Sequence, residues 1–237
     1  MKKVIKRISL IVLLLVVVLA IAFFFWARSA YEPTKEALAY MEKSNKNELT
    51  FGSTDADKGI IFYQGGKVEE EAYAYLAHQL AEKGYFVVIP RLTLNLAILD
   101  GDEATSIIDR YSTIDNWYIG GHSLGGAVAS SFAVEHPDRI QGLFFLAAYP
   151  IEDMSNLEMP TLTIYGEDDG VAALSDQKEK ESLLSSQAVV HVIEGGNHAN
   201  YGMYGEQKGD NSGSLTSEQQ IDETVQTIST WIEKEQK

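Results

Sequence analysis

Between residues 58 and 235 the chain alternates short, nearly unbroken apolar runs with longer amphipathic ones. The apolar runs are "KGIIFYQGG" (58–66), "YFVVIP" (85–90), "NWYIGG" (116–121), "IQGLFFLAAYP" (140–150), "PTLTIYG" (160–166) and "AVVHVIEGG" (188–196). A strand that is apolar at almost every position must be covered on both faces, whereas a half-exposed strand alternates apolar with polar. The segments between them carry helical spacing. In 68–84, Ala72, Tyr75, Leu76, Gln79, Leu80 and Lys83 share a face, and Gly84 stops the helix. A less regular helix is predicted over 95–112, one over 124–136 that ends before Pro137, and two more over 173–185 and 216–235. Strands separated by helices predict an α/β fold: a doubly wound, mostly parallel sheet with helices on both faces. With 237 residues, 45% of them hydrophobic, and no internal repeat, the chain suits one core, expected over 48–237.

The first thirty residues are of another kind. Ile8 to Trp26 reads ISLIVLLLVVVLAIAFFFW, without a charge and with only Ser9 polar. As a helix it spans about 28 Å, near the hydrocarbon thickness of a bilayer. Lys2, Lys3, Lys6 and Arg7 precede it and Arg28 follows, so the N-terminus is expected inside and the remainder outside the cytoplasm. A cleaved secretory signal has a shorter apolar region ending in a small-x-small site; here the run ends in aromatics, and Ala27-Arg28-Ser29 is a poor cleavage site. The expectation is therefore a transmembrane signal-anchor (1–30) and single-pass display at the cell membrane. Cleavage would instead yield a secreted protein. Residues 31–47 are expected to form a stem.

Charge and cysteine content exclude several functions. Beyond residue 30 the chain carries 14 basic against 34 acidic residues, a net of −20. Such a body repels a phosphate backbone, so no nucleic-acid partner is expected, and anionic lipid is a poor docking surface. There is no cysteine, which rules out disulfides, zinc-thiolate sites and a cysteine nucleophile.

Gly121-His122-Ser123-Leu124-Gly125 is a G-x-S-x-G match, and its setting gives it weight. It follows strand 116–121 and opens helix 124–136, the strand–turn–helix context of a nucleophile elbow. The turn is sharp, so the residues two before and two after the serine must be small. The helix start offers N–H groups to developing negative charge. A serine hydroxyl needs a base. Of five histidines, His78, His136 and His191 lie within or at the end of helices and strands, and His122 lies inside the elbow. His198, in "GGNHAN", follows the last strand at the carboxyl edge, where open α/β sheets bind ligands. The acid that orients it is expected after the preceding strand, where "TIYGEDDG" offers Glu167, Asp168 and Asp169. Two backbone N–H groups are needed for an oxyanion. Leu124 is one candidate; the other lies in "YQGGKV", at Gly66 or Lys67.

With these segments in view, "IIFYQGGKVEEEAYAYLA", "GGHSLGGAVA", "TIYGEDDGV" and "IEGGNHANYGMYGEQKGD", the chain resembles the α/β-hydrolase superfamily from about residue 48 to 235. It is most similar to the small, cap-less group likened to dienelactone hydrolases. The resemblance implies Ser123, Asp169 and His198 as catalytic residues, with Gly-x-x-Asp spacing selecting Asp169. It implies an acyl-enzyme route on a small-molecule acyl substrate, no cofactor and no metal. Gln64 stands where such proteins often carry proline, and true dienelactone hydrolases use cysteine where this chain has Ser123. Only "YPIEDMSNLEMP" separates two strands where many hydrolases insert a lid, so an open site is expected. Tyr201 and Tyr204 either line the pocket or pack beneath their own loop. An acyltransferase on the same residues, or a non-catalytic binding protein on the same fold, are the rival readings.

Overall fold

The computed structural model describes residues 2–234. Helix α1 (Lys2–Arg28) comes first. Its stretch Lys3–Trp26, 24 residues, is long and apolar enough to be a membrane span or a signal sequence, and none of its apolar window is buried against the rest of the protein. The remaining elements, in chain order, are α2 (Lys35–Leu38), β1 (Lys43–Ser44), β2 (Glu48–Phe51), β3 (Lys58–Tyr63), α3 (Ala74–Glu82), β4 (Phe86–Pro90), α4 (Glu103–Arg110), β5 (Asn116–His122), α5 (Leu124–Glu135), β6 (Gly142–Leu146), β7 (Thr161–Gly166), α6 (Leu174–Lys180), β8 (Ala188–Ile193) and α7 (Ser217–Lys234).

The eight strands form one sheet in the order β1-β2-β4-β3-β5-β6-β7-β8. From β3 to β8 all neighbours are parallel; β1 and β2 add an antiparallel edge. The chain winds outward from β3 to β4 and then crosses back to β5 on the other side of β3. The crevice between the carboxyl ends of β3 and β5 is thus a topological switch point, where sheets of this kind bind ligands.

Alternate residues of the central strands β3 to β6 feed two cores. Ile60 and Phe62 face one, with Leu76 and Leu80 of α3 and Ile228, Trp231 and Ile232 of α7. Ile61 and Tyr63 face the other, with Ile107 of α4 and Val128 and Phe132 of α5. Burial on both faces explains why these strands read as continuous apolar runs.

The structure differs from the sequence expectation in four places. The helix expected over 68–84 starts with a 3₁₀ turn, Glu70–Tyr73, and becomes α-helical only at Ala74. The helix expected over 95–112 is two 3₁₀ turns followed by α4, because Leu94 and Asn95 take left-handed backbone angles that an α-helix excludes. Strands β1 and β2 were absent from the expectation. All four residues of β2 are buried, including Glu48, which is reached by Arg110 and by the hydroxyl of Tyr111 at 2.7 Å. That partnership with a distant helix has no local signature. Finally, residues 31–47 lie against the domain. Tyr31 N–H donates to Lys67 O at 2.6 Å, Thr34 N–H to Met203 O at 2.8 Å, and Ala37 is fully buried.

Candidate active site

The carboxyl edge of the sheet carries backbone strain. Among the described residues, non-glycine positions with positive φ are Lys67, Leu94, Asn95, Ser123 and Ala147. They follow β3, β4, β5 and β6, four neighbouring strands. Conformations of this kind cost about 1–3 kcal/mol each and concentrate at functional sites.

Ser123 sits at φ 52°, ψ −122°, between the last residue of β5 and the first of α5. Its N–H donates to Leu146 O on β6 at 2.9 Å. The flanking glycines are sterically required. A Cβ on Gly121 would lie 2.5 Å from the carbonyl carbon of Gly125, and one on Gly125 would lie 2.2 Å from Tyr63 O and 2.4 Å from Gln64 O. The elbow is wedged against the end of β3, and only glycine fits at those two points.

His198 and Asp169 meet. Nδ1 of His198 donates to Oδ2 of Asp169 at 2.8 Å, and both side chains are buried. The other carboxylate oxygen, Oδ1, accepts the N–H groups of Val171 at 2.8 Å and Ala172 at 2.7 Å. These bonds aim the carboxylate and fix the ring, leaving Nε2 as the basic nitrogen. Nε2 is buried and has no hydrogen-bond partner among the described residues. Asp168 is not in this contact; its N–H donates to Gly196 O at 2.8 Å. Glu167 accepts the N–H of Gly195 at 3.2 Å.

His122, adjacent to Ser123, packs its ring 4.6 Å from that of His198. Its Nδ1 lies 2.8 Å from Tyr73 Oη, which also accepts the N–H of Gly65 at 3.0 Å. Burial, with a further contribution from His198, holds the His122 pKa well below the ordinary histidine value, so this ring stays neutral. The remaining histidines are surface groups paired with acids: His78 with Glu42, His136 with Asp102, His191 with Glu223.

Of the candidate oxyanion donors, Gly66 lies against the side chain of Leu124. A Cβ on Gly66 would come within 3.0 Å of Leu124 Cδ2. Lys67 is already committed, because its N–H donates to Asn95 O at 2.8 Å. Tyr201 and Tyr204 are packed inside the protein. Tyr201 donates its hydroxyl to Ile164 O at 3.2 Å and stacks toward His122; Tyr204 packs on Tyr31 and Tyr73. Gln64 is fully buried, with neither amide atom hydrogen-bonded within the described residues.

One residue given no role from the sequence stands out. Asp210, in the loop before α7, receives four backbone N–H groups. Its Oδ1 accepts from Gly170 at 2.9 Å, His198 at 3.2 Å and Asn211 at 2.9 Å; Oδ2 accepts from Ala199 at 2.8 Å. It ties the loop bearing His198 to the loop bearing Asp169. A lone aspartate in "GEQKGD" carries no local sign of this. A separate cleft of about 490 Å³, lined by Tyr118, Ile140, Gln141 and Pro160 among others, has no nucleophile–base pair and lies away from these residues.

Sheet order, switch-point site and strained elbow define the α/β-hydrolase class of fold. The model of the alpha/beta hydrolase family matches residues 59–222, and the chain belongs to that family and is a hydrolase. Solved structures agree on the fold. An α/β-hydrolase enzyme from the metagenome of sediments of the lagoon of Mar Chica, Morocco, superposes with a TM-score of 0.64 at 17% identity, over 83% of this chain and 99% of that one. A thermophilic esterase from Thermogutta terrifontis gives 0.61 at 13% identity, over 79% and 93%. A bacterial membrane phospholipase A gives 0.64 at 15% identity, over 98% and 99%. The search of curated proteins found no match.

Proposed function

We propose that the protein is a serine hydrolase that cleaves an ester or related acyl bond through Ser123, His198 and Asp169. The buried 2.8 Å bond between His198 Nδ1 and Asp169 Oδ2, beside an elbow that strains Ser123, is the observation that carries this reading. Ser123 Oγ attacks the carbonyl carbon of the substrate while His198 Nε2 takes the hydroxyl proton. The N–H groups of Leu124 and Gly66 receive the developing oxyanion, a role supported by Gly66's closeness to Leu124 and by the prior commitment of Lys67 N–H to Asn95. The tetrahedral intermediate collapses, the carbonyl–leaving-group bond breaks, and the leaving alcohol departs with the proton from Nε2. Water then attacks the acyl-enzyme with Nε2 as base, which releases the acid and restores Ser123. Asp169 holds the imidazole in register and stabilises its charged form.

We propose, in addition, that α1 is a membrane anchor. Helix α1 spans the membrane with its basic start inside, and the hydrolase domain stands outside the cytoplasm. Added protease should degrade the domain in intact cells; protection there, with digestion only after lysis, would put it in the cytoplasm. For the chemistry, a fluorophosphonate probe should label the wild type and fail to label Ser123→Ala. Equal labelling of both would overturn the assignment of the nucleophile.

A further inference from the structure

The exit of α1 and the mouth of the site are joined without slack. Only Ser29 and Ala30 separate the end of the helix from Tyr31, which pairs in parallel with Val68 and donates its N–H to Lys67 O at 2.6 Å. Lys67 directly follows Gly66. Its ammonium lies 4.5 Å from the centroid of the Trp26 ring and 3.1 Å from Ser29 Oγ. Trp26 closes the apolar stretch, the position where indole sits at the lipid–water boundary. The boundary therefore falls at the loop that bears Gly66.

The same loop is tied to an apolar rim. Lys67 N–H donates to Asn95 O, within the segment that leads to Ile98 and Leu99, which are 65% and 50% exposed. Ile151, after β6, is 56% exposed and is fixed to α5 through its N–H to Ser130 Oγ. Val171, two residues beyond Asp169, is also exposed. These side chains come from the loops after β4, β6 and β7, all at the carboxyl edge. Exposed apolar groups on one sheet edge, next to a membrane helix, fit a membrane contact.

We infer that the carboxyl edge of the sheet faces the bilayer and that the site takes an ester-linked acyl lipid directly from it. This rests on the serine hydrolase reading and on α1 as a span, and adds the substrate class. The short, tied connection holds the carboxyl edge against its substrate. Asp100, Asp102, Glu152 and Asp153 lie on the rim loops, so the lipid is uncharged or zwitterionic. Attack by Ser123 on the ester carbonyl, then by water, gives a free fatty acid and the de-acylated lipid.

The test uses the full chain reconstituted in phosphatidylcholine vesicles containing monoacylglycerol, with fatty-acid release measured beside hydrolysis of a soluble short-chain p-nitrophenyl ester. Wild type should act on both. The double variant Ile98→Glu, Leu99→Glu should lose about tenfold or more of vesicle-lipid cleavage, since a carboxylate resists entry into the interface, with the soluble ester cleaved as before. Val189→Glu, at an exposed site on edge strand β8, should change neither rate. Soluble-ester cleavage without vesicle-lipid cleavage in the wild type would overturn the inference and leave the hydrolase reading standing. So would a double variant that loses both activities equally, or neither. Retention of both activities in Ser123→Ala would sink the assignment of Ser123 as nucleophile, on which the serine hydrolase reading rests.

Discussion

Around Ser123 the fixing contacts come from the motif itself and from the strand beside it. The serine takes a strained backbone, Gly121 and Gly125 admit no side chain, and the end of β3 closes over them. Around His198 some glycines are crowded too, Gly195 against Ser214 and Gly213 against Gly195 O, but polar side chains do most of the fixing. The ring sits in a long irregular stretch between β8 and α7, held by side chains that bond to backbone. Asn197 exchanges bonds with Gln220, through its N–H at 3.0 Å and its carbonyl at 2.8 Å, and its amide donates to Asn211 O at 2.8 Å. Asn200 donates to Leu215 O and accepts from Ser217 Oγ. Asp210 gathers four N–H groups from both sides of the site. The proposed nucleophile is placed chiefly by exclusion of volume, and the proposed base chiefly by satisfaction of polar groups. The first kind of constraint is abrupt and local; the second is distributed and graded.

The largest expected effect removes the nucleophile and leaves both supports in place. Ser123→Ala should lower kcat/KM by about 10⁴-fold or more with an unchanged denaturation midpoint. A loss under tenfold would mean that the elbow carries no reacting group. Next comes a steric test of the elbow. Gly125→Ala drives a Cβ into Tyr63 O and Gln64 O, neither of which can yield without moving β3. It should cost about 3 kcal/mol or more in urea unfolding. Gly209→Ala is its counterpart in the His198 loop. There φ is +92° but nothing lies within 4 Å of the added carbon, so the cost should stay near about 1 kcal/mol, the strain alone. Equal costs at the two glycines would erase the contrast between the regions.

The same contrast governs which features are legible in the sequence. A steric constraint leaves a short signature, so G-x-S-x-G between a strand and a helix is enough to single out Ser123, Gly121 and Gly125. Five strands, β3 to β7, are legible because both faces are buried, and β8, half-exposed at the edge, is legible by its run of β-branched residues. His198 is marked by its place after the last strand, and Asp169 by a spacing that the resemblance supplies. The polar scaffold leaves no such mark: Asp210 lies 12 residues beyond His198, and Gln220 lies 23 beyond Asn197, on another element. The rest of the missed fold follows the same rule. Glu48 is buried in β2 because Arg110 and Tyr111 come from α4 and the residue after it, far along the chain.

Asp210 tests the distributed half of the comparison. Asp210→Ala leaves the N–H groups of Gly170, His198 and Ala199 without their acceptor, and each orphaned group costs about 1–3 kcal/mol unless water replaces the carboxylate. Because the loop surface is partly exposed, water will replace much of it, and misplacement of His198 should outweigh loss of stability. A fall in kcat of about 10- to 100-fold with little change in KM is expected. Asp210→Asn, which keeps one acceptor oxygen, should recover part of it. A role in folding alone would instead lower the yield of active protein and leave kcat per labelled site unchanged.

The smallest effect concerns His122, which belongs to both regions: it is part of the elbow by sequence and of the His198 support by contact. Its folded-state pKa lies well below the unfolded value of about 6.5, chiefly through burial. Above that pH the ring is neutral in both states and contributes no pH dependence. As pH falls below it, the unfolded chain takes up a proton that the folded site refuses, so stability drops, at no more than about 1.4 kcal/mol per pH unit. Urea midpoints taken relative to those of His122→Gln, so that the other titrating groups cancel, should therefore decline between pH 7 and about 5.5, with slopes inside that limit. A midpoint that is flat or rises over the range would mean that His122 accepts the proton while folded. It would then be a charged neighbour of His198 instead of a neutral ring beside the proposed base.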